Sequence, residues 1–197
     1  RLMMTHGNGS NRLFVYLISL VAAVGGFLFG YDLSIISGAI IFLKSEFGLT
    51  PNSEAFAIGS ATIGCMFGPV AGMWLADSKC GRKWSLMLAA LLFLIGTIGT
   101  ALPHNMLQFN VFRIVGGVGV GLASVVSPMY IAEVSPARIR GRLVTLNQLA
   151  IVVGATAASV VAYFLTPEMS HLSIDSCWRW MFASTSIPTI FLMVGLL

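Results

Sequence analysis

The chain has 197 residues, of which 57% are hydrophobic and only 9% are charged, and its mean hydropathy is +0.90. A water-soluble domain carries about 25% charged residues, so this composition excludes an ordinary soluble domain and indicates a surface that faces lipid. Lysine and arginine exceed aspartate and glutamate by 11 to 7. In a membrane protein such an excess bears on orientation rather than on nucleic-acid binding.

Six apolar runs are long enough to cross a bilayer, because a helix needs about 20 apolar residues to span the hydrocarbon core. In chain order we predict helical spans at residues 13–43, 55–76, 84–102, 107–134, 143–165 and 178–197. Residues 1–12 form a polar N-terminal tail, and residues 13–197 form one transmembrane bundle. The chain begins at Arg1 and stops within an apolar run, so we expect it to be a fragment of a longer protein.

Small residues and prolines lie within these spans. Glycines recur every four residues in the second span, at Gly64, Gly68 and Gly72. This spacing predicts close helix contacts, since small residues let helix backbones approach each other within a membrane. Prolines inside the second, fourth and sixth spans are candidate kink sites, which membrane bundles tolerate; they are Pro69, Pro128 and Pro188.

The basic residues predict an orientation. If the N-terminus is cytoplasmic, the outer segments hold only Lys44 and Arg179, and Arg113 lies within a span. The inner segments then hold the other eight: Arg1, Arg12, Lys79, Arg82, Lys83, Arg138, Arg140 and Arg142. Eight against two is the bias that the positive-inside rule describes. We therefore expect a multi-pass protein of the plasma or inner membrane with its N-terminus in the cytoplasm.

Two charges remain inside the membrane, Asp32 in the first span and Arg113 in the fourth. A charge at the bilayer centre costs about 2.5–3.5 kcal/mol on insertion scales, so such residues usually pair and face a cavity. At 1.5 Å per residue, Asp32 lies about 28 Å from the inner end of its span, and Arg113 about 9 Å below the outer end. Both fall in the outer half of the membrane. The residues alone leave two readings open: a carboxyl that binds and releases protons, or a static ion pair.

Several segments, in the expected order, resemble the motifs of the sugar porters of the major facilitator superfamily. The first-helix signature is GYDLSIISG at residues 30–38, and the fourth-helix motif is RIVGGVGVG at 113–121. SPMYIAE at 127–133 and RG at 140–141 are similar to the end of that helix and the loop after it. NQL at 147–149 and WRWMF at 178–182 are similar to the fifth- and sixth-helix motifs.

The resemblance implies an all-α polytopic fold and assigns roles to some residues. The family has twelve helices in two six-helix bundles with sugar bound between them, so this chain corresponds to the N-terminal bundle, a 3+3 inverted repeat. Asp32 matches the proton-coupling aspartate of xylose–proton symporters, and Arg113 the arginine beside it. Gln148 matches a glutamine that hydrogen-bonds sugar hydroxyls, and Phe29 an aromatic that borders the pocket. Packing roles remain open for these last two. Ala155 stands where xylose symporters carry a second glutamine.

The resemblance also implies a cytoplasmic charge network. Residues 77–83, DSKCGRK, are similar to the superfamily's loop between helices two and three, with Asp77 shifted by one position. In the family, Arg82, Glu133 and Arg140 would join a network that locks the outward-open state. The alternative is that basic residues lie here because inner loops of membrane proteins are basic.

These observations favour a proton-coupled monosaccharide transporter that works by alternating access. Its partners would be sugar, protons, the bilayer and the missing C-terminal half, with no nucleic acid. Two alternatives stay open: a facilitative uniporter in which Asp32 is structural, and a membrane sugar sensor on a transporter scaffold. We do not expect an enzyme, a cofactor or a metal site, since no catalytic constellation is present. Cys65, Cys80 and Cys177 have no metal-ligand spacing and no assigned disulfide.

Overall fold

The computed structural model describes residues 9–76, 81–167 and 173–196. These residues form helices connected by short loops and contain no β-strand. The bounds are α1 Gly9–Phe47, α2 Pro51–Ala76, α3 Gly81–Ala101, α4 Met106–Val134, α5 Arg140–Phe164, α6 Ile174–Ser184 and α7 Ser186–Leu196. Six helical segments are long and apolar enough to cross a membrane, the sixth running from Ser176 through α6 and α7 to Leu196. The predicted all-α membrane bundle is confirmed.

The helix ends follow local capping rules. Gly48 follows α1 with φ of 58°, a left-handed conformation that glycine adopts without steric cost and that commonly ends helices. Pro51 then opens α2, at a position where its missing N–H is not needed. Asn105 caps α4, its side chain accepting a hydrogen bond of 2.8 Å from the backbone N–H of Gln108. Short loops therefore return the chain directly into the next span.

The sixth span is the one described span that is interrupted. Its two halves, α6 and α7, meet at Thr185, three residues before Pro188. Pro188 has no N–H to donate to the carbonyl of Ser184, so the regular helical ladder cannot continue through that position. Pro69 and Pro128, by contrast, lie within the continuous helices α2 and α4. Of the three candidate kink sites, only Pro188 lies beside an interruption of its helix in the described residues.

Two helix pairs, α1 with α5 and α2 with α4, make matching contacts; α3 also packs closely on α4, and α1 and α4 contact each other. In each pair, a methyl group added to a glycine of one helix would overlap a backbone carbonyl oxygen of the other. The same relation holds in the reverse direction. The four glycine–carbonyl contacts are Gly30 with Ile151, Gly154 with Phe27, Gly64 with Ile114 and Gly117 with Ala61. In each of these four helices, the contacting carbonyl belongs to the residue three positions before the glycine. The two helix pairs therefore repeat one contact, as expected for an inverted repeat.

An aromatic cluster fills the core where α4 meets the sixth span. Phe109, Trp178 and Phe182 are 0–1% exposed and meet edge to face, with ring centroids 5.6–6.4 Å apart. Such aromatic pairs contribute about 0.5–1.5 kcal/mol beyond their buried area. Because Phe109 is on α4 and the other two are on α6, the cluster holds the sixth span against the centre of the bundle.

Candidate functional site

Asp32 and Arg113 meet at the contact between α1 and α4. One guanidinium nitrogen of Arg113, Nη1, donates a hydrogen bond of 2.6 Å to the Asp32 Oδ1. Asp32 is 1% exposed and Arg113 is 4% exposed. The structure therefore brings together the two intramembrane charges that the sequence places in the same half of the membrane. The bond is charge-assisted and lies away from water, conditions under which such bonds are strongest.

The ion pair is surrounded by aromatic and hydroxyl groups. The guanidinium carbon of Arg113 lies 5.4 Å from the centroid of the Phe182 ring, within the range of a cation–π contact. Thr97 and Thr100 of α3 line the same small void, and their hydroxyls donate to carbonyls of their own helix. Close packing of α3 on α4 at Gly96, where an added methyl would overlap Gly116, brings these threonines to the site.

The pair keeps unused hydrogen-bonding capacity. Among the described residues, Oδ2 of Asp32 and both Nε and Nη2 of Arg113 have no hydrogen-bond partner. A buried polar group without a partner is costly, and a native structure rarely retains one without a reason. Chemically, a carboxylate with one oxygen free is able to accept a proton there while the other oxygen still faces the guanidinium.

The two residues matched to sugar binding lie on α1 and α5 and differ in burial. Phe29 of α1 is half-buried, and Gln148 of α5 is exposed, so its amide is free to meet a ligand. The neighbouring Asn147 is buried and accepts a hydrogen bond of 3.2 Å from Ser127, whose hydroxyl also contacts the carbonyl of Ala22. Asn147 therefore ties α5 to α1 and α4, whereas the side chain of Gln148 is exposed at the surface of the bundle.

At the other end of the bundle, the structure brings two of the three predicted network residues together. Arg82, at the start of α3, forms an ion pair with Glu133, near the end of α4. Arg140 opens α5 and is exposed, and it makes no ion pair with the described residues. Asp77, which the loop comparison places beside this network, lies outside the described residues.

A polar contact at the C-terminal end of α1 is not predicted from the sequence. Glu46 accepts a hydrogen bond from the Trp178 indole and contacts the Arg179 guanidinium at 3.4 Å. Arg179 in turn lies over the Trp178 ring, with its guanidinium carbon 4.8 Å from the centroid. From the sequence, Arg179 bears only on orientation, and no role is predicted for Glu46. The signal that could have paired them is topological, since the end of the first span and the start of the sixth lie on the same side of the membrane.

Comparison with known proteins matches the motifs to a family. The model of the family described as "Sugar (and other) transporter" matches residues 18–197. The D-xylose-proton symporter of Escherichia coli K12 is 41% identical over 93% of this chain and 43% of its own length. The glucose transport protein of Synechocystis is also 41% identical, over 92% of this chain and 40% of its own length. The chain thus spans less than half the length of these relatives, and they are named for different sugars.

A solved structure agrees with these sequence matches. The proton:xylose symporter XylE, of the major facilitator superfamily and bound to 6-bromo-6-deoxy-D-glucose, superposes with a TM-score of 0.85 at 38% identity. The superposition covers 94% of this chain and 45% of the symporter. The resemblance inferred from the motifs is confirmed, as is the expectation of a multi-pass transporter fold rather than an enzyme. The chain belongs to the sugar (and other) transporter family, as a six-helix bundle of the major facilitator fold.

Proposed function

We propose that the full-length protein is a proton-coupled sugar transporter in which this chain supplies one of two bundles. The observation that carries the proposal is the buried Asp32–Arg113 pair, at 2.6 Å, in a member of a sugar transporter family. A relative named as a xylose-proton symporter supports the coupling to protons. Because the chain spans less than half of that relative, the transport site would lie between this bundle and a second one, and the two would rock about it.

Protonation of Asp32 would change the balance between conformations by weakening its attraction to Arg113. Two unit charges 2.6 Å apart, at an effective dielectric constant of about 20, attract each other by about 6 kcal/mol. To move a two-state equilibrium from 1:99 to 99:1 takes about 5.5 kcal/mol. The electrostatic energy in this single pair is therefore of the size that a conformational switch requires.

Sugar recognition by this bundle would involve Gln148 and Phe29. An amide offers both donors and an acceptor, which suits the hydroxyl groups of a sugar, and the exposed position of Gln148 supports this role. Phe29 would give one apolar face of the ring a surface to pack on. Ala155 lies seven residues after Gln148 on the same side of α5, and its methyl group offers no hydrogen bond. The sugar would therefore receive fewer polar contacts from this helix than xylose does in its symporters.

The orientation and the charge network complete the proposal. The N-terminus would be cytoplasmic, so the Arg82–Glu133 ion pair would lie at the cytoplasmic end, where it would hold α3 against α4 in one conformation. Arg140 would join the network only in a conformation that moves the start of α5 toward this pair. The N-terminal tail, residues 1–12, would remain on the cytoplasmic side.

The test is sugar uptake by full-length protein in liposomes, with Asp32 replaced by asparagine. We expect Asp32→Asn to abolish uphill accumulation under a proton gradient while sugar exchange across the membrane continues. The matched control is Glu54→Gln, which also removes an ion-paired carboxylate, from its contact with Lys44 at 2.8 Å, but at the membrane edge. The control should accumulate sugar normally.

Two results would contradict the proposal. Unchanged accumulation by Asp32→Asn would show that this carboxyl does not couple proton and sugar movement. Sugar addition without alkalinisation of the medium by the wild type would identify a facilitative uniporter, the alternative in which Asp32 is structural. Sugar binding without any flux would instead identify a sensor.

A further inference from the structure

A long apolar groove runs along the bundle between α1, α5 and the sixth span. It has a volume of about 640 Å³ and is lined almost entirely by hydrocarbon. The side chains that form its floor and walls include Leu20, Phe27, Leu149, Val153, Pro188 and Phe191. Several of them are half exposed, at 49–57% for Leu20, Leu149, Val153 and Phe191. The groove therefore opens to the surroundings of the bundle rather than being a packing defect inside it.

The groove faces away from the side of α5 that carries Gln148. Successive residues of a helix are rotated by about 100°, so Gln148 lies about 200° around α5 from the groove residue Leu146. The buried side of α5, with Asn147 and Gly154, lies between these two sides and packs on α1. An occupant of the groove would thus not stand where Gln148 points; with the second bundle on the Gln148 side, as the proposed function places it, the groove faces lipid.

One end of the groove has a cation beside it. Arg142 lies one helical turn before Leu146, and the residues that follow on the same face, Ala150 and Val153, continue the groove wall. Arg142 is exposed and has no carboxylate partner among the described residues. On α1, Tyr16 lies one turn before the groove residue Leu20 and is 49% exposed. A guanidinium and a phenol therefore flank the same end.

The other end of the groove carries two hydroxyl groups. The Tyr31 hydroxyl and the Ser184 hydroxyl, both at the groove wall, form a hydrogen bond of 2.7 Å, so their polar atoms are satisfied and face no free partner. From Leu20 to Tyr31 the groove runs 11 residues along α1, or about 17 Å. On α5 the groove runs from Leu146 to Val161, 15 residues or about 22 Å. The groove is therefore long and apolar, as an extended hydrocarbon chain requires.

We propose that this groove binds one acyl chain of an anionic phospholipid, taken from the leaflet at the Arg142 end of the bundle. The chain would lie along α1 between α5 and α7, with its methyl end near the Tyr31–Ser184 hydrogen bond. The phosphate would lie beside Arg142 and within reach of the Tyr16 hydroxyl. The shape of the groove selects the hydrocarbon, and the guanidinium selects the charge of the headgroup. Sugar and protons have no part in this site.

Native mass spectrometry of the delipidated full-length protein tests the proposal, with dioleoylphosphatidylglycerol and dioleoylphosphatidylcholine as probes. The two lipids have the same chains and differ in headgroup charge. We expect one tight site that prefers phosphatidylglycerol by about fivefold, the effect of one basic residue near a membrane surface. Arg142→Gln should remove the preference and leave phosphatidylcholine binding unchanged.

Blocking the groove should remove binding of both lipids. Val153→Trp places a large ring in the groove and should weaken each lipid by about tenfold, the cost of exposing one to two methylene groups. The matched control is Ile98→Trp on α3, which starts from the same 49% exposure but does not line the groove. It should bind both lipids as the wild type does. Ala157→Leu fills the groove less severely and serves as a second variant if Val153→Trp does not fold.

The results distinguish between the possible occupants of the groove. If Val153→Trp and Ala157→Leu bind phosphatidylglycerol like the wild type, the lipid lies elsewhere and the proposal is wrong. It is equally wrong if Arg142→Gln keeps the preference for phosphatidylglycerol. A dimer in the wild type that Val153→Trp dissociates, without any change in lipid binding, would show that a second copy covers the groove instead.

Discussion

The crossing of α2 and α4 allows a sharp test, because two glycines of the same helix differ only in what surrounds them. A methyl group added to Gly64 would overlap the carbonyl oxygen of Ile114 and lie 2.8 Å from the backbone nitrogen of Val118. The same group added to Gly59 would meet nothing within 4 Å. We therefore compare Gly64→Ala with Gly59→Ala in the full-length protein.

The expected difference in the free energy of unfolding comes from the one energy contribution that the two variants do not share. Alanine is favoured over glycine within a helix by about 1 kcal/mol, and this gain applies to both positions. Only Gly64→Ala must also move the two helices apart, because its methyl group would otherwise lie 2.8 Å from the Val118 nitrogen instead of the 3.4–4 Å of an ordinary contact. Inserting a methylene into a well-packed interface costs about 1–3 kcal/mol. We expect Gly59→Ala to be neutral or stabilising, and Gly64→Ala to be less stable than it by about 1–3 kcal/mol.

Denaturant unfolding in detergent micelles, followed by tryptophan fluorescence, gives the free energy of unfolding of each variant. Gly117→Ala should cost a similar amount, because Gly117 faces the Ala61 carbonyl in the same crossing. The double variant with Gly64→Ala should cost less than the sum, since one helix separation relieves both overlaps. Equal stability of Gly64→Ala and Gly59→Ala, within about 0.5 kcal/mol, would refute the close crossing.

Three further results are expected. Tyr31→Phe removes the hydrogen bond to Ser184 and should lower the free energy of unfolding by about 0.5–1.5 kcal/mol, measured by the same unfolding assay; no loss would mean that the bond does not form. Trp178→Ala opens a cavity at a fully buried site and should cost about 3–5 kcal/mol, whereas a cost below 1 kcal/mol would contradict the aromatic core. In a variant without native cysteines, Asn52→Cys should react with an impermeant maleimide from outside intact cells and Ala137→Cys only after lysis; the reverse pattern would overturn the proposed orientation.

The number and type of helices could be predicted because the bilayer imposes their length. The predicted span at residues 107–134 lies within one residue of α4, and the span at 84–102 begins three residues after the start of α3 and ends one residue beyond it. The first helix extends further, to Gly9–Phe47, because polar residues at its ends continue the backbone hydrogen bonds outside the hydrocarbon. The interruption of the sixth span could be located only near Pro188. Which residue leaves the helix depends on how α6 and α7 pack, and hydropathy contains no such information.

The candidate site could likewise be predicted from the sequence only in part. Depth along two antiparallel helices was enough to place Asp32 and Arg113 in the same half of the membrane, since each residue advances a helix by a fixed rise. The neighbours of the pair depend on how the helices rotate. Phe182, 150 residues beyond Asp32, and Thr97 on α3 reach the site through helix packing, and neither has a charge to reveal it. Resemblance to a family supplied the roles of Gln148 and Phe29, which spacing alone did not.

The reciprocal glycine–carbonyl contacts have a consequence for how the bundle moves. In each pair, α1 with α5 and α2 with α4, two contacts face opposite ways, so sliding either helix along its partner in either direction drives a side chain into a backbone. Each pair should therefore move as one rigid unit when this bundle rocks against a second one, and any rearrangement inside the bundle should occur where α1 meets α4. Asp32 lies in one pair and Arg113 in the other. Their ion pair joins the two pairs, so a proton that neutralises the carboxyl would act on the contact between them.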